Sequence, residues 1–182
     1  TVGGMDKTER HFKTVFDSNT ETEDSYELKY NDCGYSTELI ADSVGKFSFV
    51  TTTSTACSSA SNAIIFGANL IKSGIVDIAV VGGSEALTKF HLNGFNTLMI
   101  LDKDNCRPFD RDRTGINLGE GAAYIVLESE KSAKARGAEI LGILSGYANT
   151  CDAFHQTASS ENGEGAYLAM RKAMDMARLS PR

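Results

Sequence analysis

From Ser58 to Lys72 almost every position is small or apolar, including Ala60, Ala63, Ile64, Ile65, Phe66, Ala68, Leu70 and Ile71. A helix that is apolar on nearly every face has to be covered on nearly every side, so it belongs inside a layered fold. Ser73-Gly74 supplies its stop. The run Asp77-Ile78-Ala79-Val80-Val81-Gly82 is short and continuously apolar, the pattern of a central strand covered on both faces. Ala122 to Leu127 reads as a further strand, Glu130 to Arg136 as a short charged helix ended by Gly137, and Ile140 to Ala148 as another strand. Gly163 to Leu179 sets Ala166, Met170, Ala173, Met174 and Ala177 on one helical stripe. Upstream, the β-branched run Phe47 to Thr53 reads as a strand and Thr37 to Val44 as a short helix ended by Gly45. Gly4 to Phe16 has the spacing of a surface helix, and Asp17 to Tyr30 the acidic, polar composition of a loop. Strands alternating with helices predict an α/β layered domain with largely parallel strands.

A chain of 182 residues with 41% hydrophobic content is long enough to bury a core. Its net charge of −6 argues against a nucleic-acid groove or an anionic membrane surface as partner, although an acidic protein can still dock on a local basic patch. No apolar run approaches the length of a membrane span, and no signal peptide is visible. Cys33, Cys57, Cys106 and Cys151 are widely scattered, with no Cys/His spacing suited to a metal. They read as free thiols in a reducing compartment. The opening Thr1-Val2-Gly3-Gly4 has no initiator Met and reads as the interior of a longer protein.

Cys57 stands where the Phe47 to Thr53 run gives way to the apolar helix, within Ser54-Thr55-Ala56-Cys57-Ser58-Ser59-Ala60. At a strand-to-helix junction a thiol faces the unpaired N–H groups and the positive end of the helix dipole. Those groups favour a thiolate, the nucleophilic form of sulfur. A small buried cysteine packed among alanines and serines is the plainer alternative.

Five segments, in order along the chain, decide between these readings. They are Val2-Gly3-Gly4-Met5, Ser54 to Ala60, Val80-Val81-Gly82-Gly83-Ser84-Glu85, Arg107-Pro108-Phe109-Asp110 with Arg113, Gly115 and Gly119-Glu120-Gly121-Ala122, and Asp152-Ala153-Phe154-His155-Gln156-Thr157. Together the chain resembles the β-ketoacyl-acyl-carrier-protein synthases, the condensing enzymes of fatty-acid and polyketide synthesis. The resemblance implies an α/β thiolase-like fold in αβαβα layers, incomplete in this chain. Residues 1–138 would be the remainder of the N-terminal half, which carries the nucleophile, and residues 139–182 the start of the C-terminal half. It also implies a cytoplasmic homodimer in which the Phe47 to Thr53 strand pairs with its two-fold mate, and an acyl carrier protein as partner.

The implied chemistry is a decarboxylative Claisen condensation, with Cys57 attacking an acyl thioester and carrying the acyl group. Malonyl-carrier protein then loses carbon dioxide, and its carbanion attacks the acyl carbonyl. No cofactor is bound permanently, the substrates riding on the phosphopantetheine arm of the carrier protein. The backbone N–H of Cys57 is one candidate oxyanion donor. His155 matches a family position at the mouth of the active site, and Thr157 one that contacts the pantetheine arm. Val2 and Phe95 match positions lining the acyl pocket, with core packing as the rival role. The two decarboxylating histidines of the family, the first in a His-Gly-Thr-Gly-Thr motif, have no counterpart. His11 reads as a solvated side chain and His91 as part of a loop-like stretch. This chain alone is therefore expected to be inactive in condensation.

Two rivals stand beside that reading. Val80 to Ala86 approximates the nucleophile elbow of an α/β-hydrolase, with Ser84 as nucleophile. A non-catalytic condensing-enzyme homologue that binds acyl chains or dimerises is the other. Retention of Cys57 speaks against it.

Overall fold

The apolar run beginning at Ser58 does form a helix, and the way it ends shows why. In the computed structural model, which describes residues 6, 8–10, 13, 30–155 and 157–181, the helix occupies Ser59–Lys72. We number the elements along the chain: α1 (Tyr35–Val44), α2 (Ser59–Lys72), β1 (Ile78–Glu85), α3 (Lys89–Thr97), β2 (Gly121–Glu128), α4 (Glu130–Ala135) and α5 (Glu164–Ala177). After Lys72 the N–H of Gly74 donates to Ile71 O and that of Ile75 to Leu70 O, with Gly74 at φ 69°. This left-handed glycine closes the last carbonyls of α2 and turns the chain into β1.

β1 and β2 form a two-stranded sheet. The N–H of Ser129, just past β2, donates to the carbonyl of Asp77, just before β1, at 2.9 Å. The end of one strand thus lies against the start of the other, and the pair is antiparallel. The expectation of largely parallel strands does not hold for this pair. Residues 86–120 are long enough for the crossover a parallel neighbour needs, yet the two strands pair antiparallel.

Backbone contacts divide the chain into two compact units, Thr1–Ser54 with Gly83–Ala123 and Thr55–Gly82 with Tyr124–Arg182. In the first, Asp32 starts α1: its carboxylate accepts from the N–H of Gly34 and its carbonyl from that of Tyr35. α3 is capped by Thr88, 4% exposed, whose Oγ1 accepts from the N–H of His91 at 3.2 Å. The Asp6 carboxylate accepts from the N–H of Lys89, a second anion at the same positive helix end. His91 and Phe95 therefore lie on a helix, which corrects the loop-like reading of this stretch. The available signal was Thr88, a capping residue three positions before His91.

In the second unit α2 lies on the sheet. A Cβ at Gly67 would come 2.5 Å from Val81 Cγ1 and 3.3 Å from the Ala79 Cβ. The helix approaches β1 that closely only because Gly67 has no side chain. α4 is capped by Ser129, which accepts from the N–H of Ser132, and Arg136 forms a two-pronged pair with Glu128. α5 ends at Arg178, left-handed at φ 56°.

Two segments expected as strands are not. Residues 47–53 and 140–148 lack regular structure, and they expose Phe49, Leu141 and Ile143, the last two at 91% and 84%. Strand propensity is a preference for a partner ladder, and no described segment pairs with either. Nor is α2 buried all round. Gly67 is its only buried residue, and the buried apolar residues among those described are Val81 and Ala133. The sheet covers one flank of the helix and leaves the other half-exposed. The Gly4 to Phe16 helix is described only at residues 6, 8–10 and 13, which are helical, and the Asp17 to Tyr30 loop lies, apart from Tyr30, outside the described residues.

α5 sits against the 140–150 segment at Gly146, where a Cβ would overlap the backbone carbonyl of Ala173 and press on Ala177. Gly146→Ala should destabilise the second unit by about 2 kcal/mol, the usual cost of overpacking against a backbone that cannot move aside. Thermal unfolding followed by circular dichroism reads this as a lower midpoint; an unchanged midpoint would mean that α5 is not held there.

Candidate active site

Cys57 lies in a single 3-10 turn, Ala56–Ser58, immediately ahead of α2. The turn is made by its neighbours. Ala56 has φ 52°, a left-handed conformation that costs a non-glycine residue roughly 1–2 kcal/mol and persists only when the surroundings enforce it. Enforcement comes from hydroxyl groups. Ser58 Oγ donates to Thr55 O at 2.9 Å, and Ser59 Oγ both accepts from the Thr55 N–H at 2.8 Å and donates to Ala56 O at 2.7 Å. The serines of the motif thus fold the chain back on itself around residue 57.

The outcome is an exposed thiol carried at the entrance to a helix. Cys57 is therefore not the buried, packed cysteine of the plainer alternative. A sulfur in this position can attack an electrophilic carbonyl, and the first-turn N–H groups behind it can stabilise negative charge. Cys33, Cys106 and Cys151 are also free thiols.

One turn along α2, Asn62 reaches back to this turn. Its Nδ2 donates to Thr55 Oγ1 at 2.8 Å and to Ser58 Oγ at 3.4 Å. Its Oδ1 accepts from Asn149 Nδ2 at 3.0 Å. Farther along the helix, Tyr147 Oη donates to Asn69 Oδ1 at 2.6 Å. The 140–150 segment is thereby bound side-on to α2 by two polar pairs.

Beyond that segment, Asp152 organises the loop into α5. Its carboxylate accepts from the N–H and the hydroxyl of Ser160 and from the N–H of Gly165. Those bonds, the Ser160 pair foremost, hold the Asp152 carboxyl below the usual carboxylate range. His155 is exposed, and its Nδ1 accepts from the N–H groups of Thr157 and Ala158, each at 3.2 Å. In the neutral ring the proton is then on Nε2, which leaves an outward-facing donor. Thr157 is also exposed.

Cys57, His155 and Thr157 belong to the same compact unit, whereas Phe95, half-buried on α3, belongs to the other. The His155 ring bonds to its own loop, not to Cys57. Val2 lies outside the described residues. Ser84 lies within β1, and the left-handed non-glycine residues are Ala56, Met99, Phe109, Ala153 and Arg178. No elbow presents Ser84, so the hydrolase reading loses its geometric basis. Asn62 and Asn149 were not anticipated, and Asp152 was named only as part of its segment; the available signal was a pair of asparagines, Asn62 and Asn69, in a largely small and apolar helix.

The remaining motif residues hold one another. Arg107 Nη2 donates to Asp112 O and Arg113 Nη1 to Asp110 O, while Glu120 accepts from the N–H of Leu87. Residues 3–133 match the model of the β-ketoacyl synthase N-terminal domain. The chain belongs to the β-ketoacyl synthase family.

Among its relatives is 3-oxoacyl-[acyl-carrier-protein] synthase 2 of Staphylococcus aureus, 40% identical over 136 residues, covering 71% of this chain and 34% of the relative. A solved ketosynthase in complex with its chain length factor, from Xenorhabdus doucetiae, superposes with a TM-score of 0.79 at 32% identity, covering 97% of this chain and 43% of that one. A type II polyketide acyl-carrier protein in complex with its ketosynthase, bound to a hexaketide, matches at a TM-score of 0.87 and 26% identity, covering 99% of this chain and 47% of that one. The fold is thus that of the thiolase-like ketosynthases, represented in part. The chain spans about a third of the length of the curated relative.

The Asp152 carboxyl, lowered in the folded loop, contributes stability that is complete above about pH 5 and fades as pH falls below about 4. Protection factors at Ser160 and Gly165, which compare exchange with the intrinsic rate at each pH, should therefore fall on acidification in the native chain. Asp152→Asn should exchange fast at both amides already at neutral pH, with a flatter acid dependence; protection equal to native at pH 7 would refute the clasp.

Proposed function

We propose that this chain is part of a 3-oxoacyl-[acyl-carrier-protein] synthase that lengthens an acyl chain by decarboxylative condensation in fatty-acid or polyketide synthesis. The observation that carries the reading is the exposed Cys57 in its 3-10 turn at the mouth of α2, stapled there by Thr55, Ser58 and Ser59. In the first step Cys57 sulfur bonds to the acyl carbonyl and the carrier's pantetheine thiol leaves. The backbone N–H of Cys57 donates to the oxyanion formed on the way. Malonyl-carrier protein then gives up carbon dioxide, and its carbanion attacks the acyl carbonyl, releasing Cys57 and a 3-oxoacyl product.

In this reading Thr157 touches the pantetheine arm and His155, through Nε2–H, lies at the entrance; Val2 and Phe95 line the acyl pocket. The decarboxylating histidines are not among His11, His91 and His155, so the 182-residue chain by itself does not condense. Acyl carrier protein is the partner, the assembly a homodimer and the compartment the cytoplasm. The carrier protein in the polyketide complex and the activity named for the Staphylococcus aureus relative support the substrate class. The family match ending at residue 133 supports residues 1–138 as belonging to the N-terminal half, with 139–182 opening the next.

A fatty acyl thioester probe tests the reading. Native chain and Ser84→Ala should both be labelled and Cys57→Ala should not. Label lost with Ser84→Ala and kept with Cys57→Ala would overturn it. Iodoacetamide should likewise modify Cys57 ahead of Cys33, Cys106 and Cys151, and equal rates at all four would count against a preorganised nucleophile.

A further inference from the structure

We propose that Asn62 is a positioning residue for the nucleophile, fixing the backbone on both sides of Cys57 and tying that turn to the 140–150 segment through Asn149. The proposal rests on reading Cys57 as the acyl-carrying thiol. Three observations support it. First, Asn62 is a half-buried primary amide in a helix, with the exposed Ser61 before it and the apolar Ala63, Ile64 and Ile65 after it. An amide withdrawn from water is tolerated when its groups are bonded, and both ends of this one are.

Second, the bonds fall on the residues that bracket the sulfur. Thr55 stands immediately before the left-handed Ala56, and Ser58 immediately after Cys57; the Asn62 amide donates to the side chains of both. Ser58 and Thr55 hydroxyls can rotate, and by themselves they exchange partners easily. A planar amide projecting from a helix cannot, so it sets which way those hydroxyls point and, through them, the strained turn. Third, the opposite face of the amide accepts from Asn149, three residues before Asp152. Adjacent residues of one chain segment thus bond to the Cys57 turn, through Asn149, and to the loop that carries His155 and Thr157, through Thr150 and Asp152, within a single compact unit.

The test is peptide-resolved alkylation of the 182-residue chain with iodoacetamide, timed at each of the four cysteines. Asn62→Ala should slow Cys57 by about three- to tenfold, the equivalent of one net hydrogen bond. Cys33, Cys106 and Cys151 should stay within about twofold of native, the scatter of an ordinary surface change. Thr55→Val, nearly isosteric, removes the acceptor of the shorter bond and should slow Cys57 comparably. The double variant should slow Cys57 by less than the product of the two single effects, since both changes remove the Asn62–Thr55 bond.

Loss of structure has a different signature, because it would expose and accelerate the half-buried Cys33 and Cys106. Should Asn62→Ala show that signature, with loss of helical circular dichroism, Thr55→Val alone decides. A Cys57 rate unchanged or faster in the folded variants, or strictly additive losses in the double variant, would overturn the role of Asn62. The reading of Cys57 itself is checked by a separate ratio, Cys57 against the other thiols in the native chain. Parity there sinks the nucleophile, whereas parity between native and variant sinks only the positioning role.

Discussion

The close approach of α2 to the sheet at Gly67 fixes where the first turn of that helix stands. With no side chain at 67, the helix axis sits near enough to β1 for the backbone to rest on Ala79 and Val81. That contact sets the height and rotation of α2, and a rigid helix transmits both to its first turn. Cys57 is ten residues before Gly67 (67 − 57), about three helical turns of chain. A larger residue at 67 would move the thiol without touching it.

Placement of the helix does not by itself present a nucleophile. Presentation comes from the backbone at Ala56, whose left-handed conformation sets residue 57 into its 3-10 turn. Alanine is the smallest residue that still carries the penalty, and the hydroxyls of Thr55, Ser58 and Ser59 offset it with bonds to the same few backbone groups. Ser84 makes the contrast plain. It sits inside a β-strand with regular backbone on either side, and a serine so held has no geometric reason to be more reactive than any other.

What could be read from residues alone was whatever is settled locally. The termini of α2 and α4 were legible because Gly74 and Gly137, both left-handed, mark where each helix stops, whatever the rest of the chain does. Likewise the helix at Tyr35–Val44 differs from the expected Thr37 to Val44 by one short extension at its start, where Asp32 supplies the opening turn. Residues 47–53 and 140–148 have the composition of strands yet are not strands, because pairing is decided by what lies alongside. In the site, the position of Cys57 at the head of a helix was legible from the change of pattern at Ser54 to Ala60. The partnership of Asn62 with Asn149 was not, since 87 residues separate them and no periodicity links the two.

The small number of buried apolar residues gives these polar bonds more weight than they would carry in a thick core. Val81 and Ala133 are the buried apolar residues among those described, so packing alone places few restraints on the segment after α4. Leu141 and Ile143 point to solvent, while Tyr147 and Asn149 on the same stretch are bonded to α2. The segment is thus held by its polar residues and released by its apolar ones, the reverse of the usual division of labour in a strand. Such an arrangement is directional, because hydrogen bonds fix angle as well as distance. A turn that must aim one sulfur at a carbonyl needs that directionality more than it needs depth of burial.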